Sequence, residues 1–276
     1  MSHPTDRLRQ LFSGVPAPRR DKRSIVMLQA FIDDSKQRED VLVLAGYLSD
    51  WKSWERLSIE WQKLLDEPSA WDEFKMARAA SDLKRAQRFY GVVKAHVPAY
   101  VACVLEIGPL RQLCDELALP PFCRNPYNFA IKALLDATYG EMGRVGLEWP
   151  IEFIFDDRGE KVHVRAAWEF FLLGRPPPAR RLIASEPKFE KSIEVKPLQS
   201  AEIIAWHARE HWLKHRKFEG EVELLWDDPD PIKGHLVHWD YDGLKPNMES
   251  LRDLLDAWGF PLPPRPERRR RSDGEG

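Results

Sequence analysis

The sequence predicts a layered α/β domain built on a mixed β-sheet. Apolar runs of strand length alternate with segments of helical periodicity. The first two runs are joined by a short polar turn, which makes an antiparallel hairpin and excludes a purely parallel sheet. Two of the runs end in paired aspartates, at Asp33-Asp34 and Asp156-Asp157.

The elements follow in order. Ser24–Asp33 and Val41–Leu48 read as the hairpin strands, with DSKQRED as their turn. From about Asp50 a helix places Trp51, Trp54, Leu57, Trp61 and Leu64 on one face, a pattern that suits core better than a base-stacking platform. An extended piece at Trp71–Met76 precedes a helix near Ala79–His96, a strand at Ala99–Ile107 and a short helix at Pro109–Leu117. Pro126 opens a longer helix with Tyr127, Ile131, Leu134, Leu135 and Thr138 facing inward. Ile151–Asp156 is a strand, and Lys161–Leu173 a helix stopped by Gly174 and the following prolines. An extended stretch covers Arg181–Glu190, and Pro197 opens a helix from Leu198 to about Arg216.

The main domain is therefore predicted over residues 24–216. Residues 1–23 read as a flexible basic arm, with a short helix near Leu8–Phe12. Residues 217–262, ending in a helix near Asn247–Gly259, read as an appendage packed on the domain. Residues 263–276 read as a disordered basic tail carrying Arg268–Arg271.

The 276 residues are 43% hydrophobic and 31% charged, as in a soluble globular chain. No apolar run approaches membrane-spanning length, and the N-terminus lacks the apolar stretch of a secretory signal. The three cysteines form no C-x-x-C pair and read as reduced thiols, so the expected location is cytoplasmic, away from membranes. With a net charge of −2, nothing global attracts a polyanion, and a nucleic-acid partner would be held by local patches. A nucleotide-binding glycine loop and a Gly-x-Ser-x-Gly elbow are both absent.

An acid that follows an apolar strand leaves the core at the sheet rim, where α/β folds gather ligands. Two acidic pairs on one rim repel each other, and a bound cation removes that cost. Oxygen donors of this kind suit Mg²⁺ or Mn²⁺. Asp-Asp after a strand also suits turns and helix N-caps, so either pair alone has a plain structural explanation. Glu202 supplies a further carboxylate, at the edge of the apolar face formed by Ala201, Ile204, Ala205, Ala208 and Trp212. Its structural role would be a favourable acid in a helix first turn.

The ordered pieces FIDDS, VLVLAGYL, a Trp-rich helix, EFKMA, NPYNFAIKALL, IEFIFDD and PLQSAEIIAW resemble the family catalogued as domain of unknown function 3800, from about Ile25 to His215. The resemblance implies a ribonuclease H-like fold and a metal-dependent nuclease, a hydrolase acting on the phosphodiester bonds of DNA or RNA. It places the first strand acid at Asp33, the later strand acid at Asp156 and the helix acid at Glu202, as the catalytic and metal-binding set. The family's helix acid is usually Asp, and the extra methylene of Glu202 would move a metal by about an ångström. In a two-metal site Asp33 would bridge the ions, with Asp156 and Glu202 each completing one side. Asp34, Asp157 and Glu106 are further candidate metal ligands, and Lys75 a candidate phosphate contact, with a surface lysine as the alternative.

Two other functions stay open. The same fold without activity would be a binding or interaction module, marked by a Lys or Arg plugging the acid site. His207-Ala-Arg-Glu210-His211 fits H-x-x-E-H, the inverted zinc-protease signature, with His215 continuing that face.

Overall fold

The computed structural model describes residues 5–10, 28–37, 40–68, 71–145, 150–157, 159–173, 183, 185–218 and 221–264. The Arg268–Arg271 run and most of the N-terminal arm lie outside them. Among the described residues six strands form one mixed sheet: β1 (Leu28–Gln37), β2 (Val41–Asp50), β3 (Ala99–Glu106), β4 (Ile151–Asp156), β5 (Lys188–Glu190) and β6 (Gly234–Trp239), in the order β5-β4-β1-β2-β3-β6. β2 is antiparallel to β1 and β3, whereas β4 is parallel to β1, β5 to β4, and β6 to β3.

The sheet is buried on both faces, which explains the near-continuous apolar runs of β2 and β3. One face carries Phe31, Val43, Ala45, Ala102 and Ile154 against α2 (Trp51–Leu65), α4 (Leu83–His96) and α8 (Lys196–His215). The other carries Ile32, Leu44, Cys103 and Phe153 against α6 (Pro126–Val145), α7 (Lys161–Leu173) and α5 (Ile107–Glu116). Further helices among the described residues are the short α1 (Asp6–Gln10) and α3 (Met76–Ala79), a 3₁₀ turn at Pro121–Arg124, and α9 (Tyr241–Ala257) near the C-terminus. No helix among the described residues is long and apolar enough to cross a membrane.

Several elements differ from expectation in instructive ways. β1 does not end at Asp33; the hairpin pairing runs on to Gln37↔Val41, so most of DSKQRED is strand. A polar sequence can continue a strand when its partner supplies the ladder. The buried stripe of α2 is Trp54, Leu57, Ser58, Trp61 and Leu65, leaving Trp51 and Leu64 only partly covered. Asp50 caps this helix, accepting from the Lys52 and Ser53 N–H groups at 2.8 and 3.2 Å. The helix expected near Ala79–His96 starts later, at Leu83 (α4), with Asp82 capping it, and the short α3 precedes it where the extended piece was expected to end. Among the described residues of the extended stretch, Lys188–Glu190 pairs as a strand and Ile183 makes a bridge.

The C-terminal appendage extends the sheet with β6 and sends Trp239, Leu244, Met248 and Leu255 into the core. The N-terminal arm is not wholly free. Leu8 of α1 is 1% exposed and packs in the core on the α8 face. Arg7 Nε donates to Glu190 Oε2 at 2.8 Å. Cys103, Cys114 and Cys123 are free and buried, and burial raises each thiol above its ordinary value.

Candidate functional site

Pairing of β1 with β4 stops at Ile32↔Phe155. Asp33 and Asp156 occupy the next position on these parallel neighbours, one residue beyond the last registered pair. Alternation of the strands fixes their direction: Asp33 shares a face with Phe31, and Asp156 with Ile154, both on the α8 side. Asp33 is 2% exposed. One strand further, Glu190 pairs in register with Asp156, completing a row of three acids. Its charge is met by Arg7.

Beyond Asp33 the outer edge of β1 opens into a cleft of about 360 Å³, lined by Asp33, Asp34, Ser35, Lys36, Ala77, Glu160, Glu202, Trp206 and Arg209. The cleft thus lies where β1 leads to β2 on one side and β4 on the other, the switch point at which open α/β sheets bind ligands.

Glu202 reaches this cleft because α8 is pinned at its start. Gln199 is fully buried, and its Oε1 accepts from Trp61 Nε1–H at 3.0 Å and from the Phe74 N–H at 3.1 Å. Its Nε2 donates to the Ser192 carbonyl at 2.8 Å. Three residues on, Glu202 is 9% exposed. Its Oε1 accepts from the Met76 N–H at 2.9 Å, and its Oε2 lies 3.3 Å from Lys75 Nζ.

Lys75 does not stand alone on the surface. Its Nζ lies 2.7 Å from Glu73 Oε1 and donates to Ser192 Oγ at 3.4 Å. Ser192 Oγ–H donates to Glu73 Oε1 at 2.6 Å, and the Ser192 N–H to Asp156 Oδ1 at 3.1 Å. A single network therefore joins Glu202, Lys75, Glu73, Ser192 and Asp156.

Asp34 borders the cleft from the opposite face of β1, where Tyr127 O–H donates to its Oδ2 at 3.3 Å. Burial, then the charges of Asp34 and Glu160, push the Tyr127 phenol well up, so it stays protonated as a donor. Asp157 is bound by Lys161 at 2.5 Å. Glu106 lies outside the cluster. It pairs with Val41 in β3, while Asp33 pairs with Ala45. Two strands across and four residues along separate them by about 16 Å. Glu106 accepts instead from Trp212 Nε1–H at 3.0 Å and lies 2.9 Å from His238 Nε2.

The histidines of H-x-x-E-H do other work. His207 is 1% exposed, with Nδ1 2.7 Å from the Ile203 carbonyl, and burial lowers its pKa to about 4. His211 Nδ1 accepts from the Glu223 N–H at 3.0 Å. Among the described residues, no group of three or more His, Cys, Asp or Glu side chains is placed to hold a metal ion as the chain stands. That leaves the zinc-protease motif without a centre there. It also means that the carboxylates around Asp33 would have to adjust to bind one.

Glu73, Ser192, Glu190, Trp206 and Arg209 had not been singled out from sequence. Trp206 and Arg209 carried a usable signal, standing four and seven residues after Glu202 on the same helix face. Glu73 and Ser192 carried none, because they meet only through the fold.

The sheet core runs in the order β5-β4-β1-β2-β3 with β2 alone antiparallel, a mixed-sheet α/β architecture flanked by helices, to which β6 is added at one edge. No family model and no curated protein matches the chain. Among solved structures, it is similar to Bst-RNase HIII in complex with Mn²⁺, at 14% identity and a TM-score of 0.36 over 67% of this chain. It spans 55% of that chain's length. It is also similar to RNase HII in the PCNA:RNase HII complex from Archaeoglobus fulgidus, at 16% identity and a TM-score of 0.35, covering 90% of this chain and 98% of the other.

Proposed function

We propose that this chain is a metal-dependent nuclease, a cytoplasmic member of the domain of unknown function 3800 family, with Asp33, Asp156 and Glu202 as its metal-binding acids. The observation that carries the reading is that Asp33 and Asp156 each stand one residue past the last registered pair of neighbouring parallel strands, on one face, beside a cleft lined by Asp33 and Glu202. Two shielded carboxylates this close repel each other unless a cation lies nearby. The all-oxygen donor set suits Mg²⁺ or Mn²⁺ in type. In arrangement the strand acids would have to close on the ion, and Glu202 must first release Lys75.

A divalent ion bound there would activate water and relieve charge on the leaving oxygen of a phosphodiester. The chain's own residues do the positioning. The Ser192 N–H orients Asp156, and the Met76 N–H orients Glu202. Glu73 and Ser192 give Lys75 a place to stay when it leaves Glu202.

Lys75 on Glu202 also favours a second reading, an inactive module in which the ammonium replaces the metal permanently. Cleavage of single- and double-stranded DNA and RNA with Mg²⁺, Mn²⁺ or EDTA separates the two. The nuclease reading expects metal-dependent cutting by the wild type and loss of it in a folded Asp33→Asn variant. If wild type and variant alike leave all four substrates intact with either metal, the module reading holds.

A further inference from the structure

The cleft beside the acids is not uniformly acidic. Along α8, Glu202, Trp206 and Arg209 fall on one face, about 6 Å and then about 4.5 Å apart along the axis. All three line the cleft. Arg209 is fixed by its neighbour and the wall: Nη2 donates to Glu210 Oε1 at 2.7 Å, the guanidinium lies 5.9 Å from the Trp206 ring centre, and Nη1 donates to Ser35 Oγ at 3.1 Å. Lys36 reaches the same cleft from β1, with Nζ 2.6 Å from Glu160 Oε1. Four carboxylates (Asp33, Asp34, Glu160, Glu202) thus face two cations (Lys36, Arg209), with one indole between Glu202 and Arg209.

This order, acid then aromatic then guanidinium, matches one repeating unit of a nucleic-acid strand. A phosphate bridged by metal would sit at the acid end, a flat base beside the indole, and the adjoining phosphate at Arg209 and Lys36. We infer that the cleft binds one nucleotide of a single-stranded nucleic acid, its base stacked on Trp206 and its neighbouring phosphate held by Arg209 and Lys36. This rests on the nuclease reading for the role of the acid end. A base inside a duplex has both faces covered by its neighbours, so stacking on a protein indole selects unpaired strands. The volume argues the same way: about 360 Å³ is near the lower bound for ligand pockets and suits one nucleotide rather than two paired strands.

Binding is measured by fluorescence anisotropy with labelled DNA and RNA of about eight nucleotides, single-stranded and as duplexes, in EDTA at low salt so that metal-dependent cutting is prevented. Single strands are expected to bind at least about tenfold tighter than duplexes, and Trp206→Ala to lose about tenfold of that affinity. Trp206→Phe, which keeps a stacking ring and the packing, should restore most of it. Arg209→Gln should lower the slope of log affinity against log salt by about 0.7. Duplexes bound as tightly as single strands, or Trp206→Ala and Trp206→Phe both binding like wild type, would overturn the inference. The nuclease reading fails separately. Trp206-dependent binding without cutting under any metal leaves this site standing, whereas Trp206-independent cutting of duplexes leaves only the nuclease.

Discussion

Replacing Lys75 by Met should tighten divalent-cation binding. The ammonium lies 3.3 Å from Glu202 Oε2. At an effective dielectric between about 20 and 80, that contact is worth roughly 1–5 kcal/mol before solvent screening and side-chain entropy are counted. The lysine and glutamate side chains are 29% and 12% exposed, which moves the value toward the low end. A retained strength of about 1–2 kcal/mol corresponds to about a tenfold change in affinity. Met keeps the apolar stem of the lysine without its charge. Titration calorimetry with Mn²⁺ at fixed pH and salt should therefore give a dissociation constant about tenfold lower for Lys75→Met than for wild type. Lys75→Arg, which keeps the charge, should stay near wild type. A folded Lys75→Met variant that binds Mn²⁺ no tighter than Lys75→Arg would refute the competition between lysine and metal.

Two further perturbations probe the frame around the site. Burial holds His207 near pH 4, while an unfolded histidine titrates near 6.5. The unfolded chain takes up the extra proton between those values, so stability should fall by up to about 3 kcal/mol as pH drops from about 6.5 to 4. His207→Gln should remove that contribution from urea unfolding measured across the range, and an unchanged slope would place the loss in other groups. Leu8→Ala should cost about 2–3 kcal/mol, because Leu8 is fully covered in the core. Denaturation midpoints equal to wild type would show that α1 adds nothing to stability.

The sheet was legible in the sequence because doubly covered strands must be apolar on both faces, as VLVLAGYL and AYVACVLE are. Asp33 and Asp156 stood out as acids following such runs. Their mutual alignment did not, since register is a property of pairing rather than of either strand. The end of β1 was misplaced at Asp33 because DSKQ is polar, and polarity alone does not distinguish a turn from the open end of a hairpin. Glu202 was legible from its place beside an apolar helix face. Its partner Lys75 was visible only as part of EFKMA, and the Ser192–Glu73 contact joins residues 119 apart in sequence. The docking of Arg7 on Glu190, 183 residues away, is equally invisible to local pattern. A basic, Pro-rich arm hides one buried leucine among residues that read as solvated.

The nuclease reading requires Asp33 and Asp156 to share a divalent cation. Crystals of the full chain soaked in Mn²⁺, with anomalous density collected at the manganese edge, test it directly. The expected result is a peak about 2.0–2.3 Å from carboxylate oxygens of both Asp33 and Asp156, with Glu202 turned away from Lys75 toward it. No peak at that position under saturating Mn²⁺, with Lys75 still on Glu202, would contradict it.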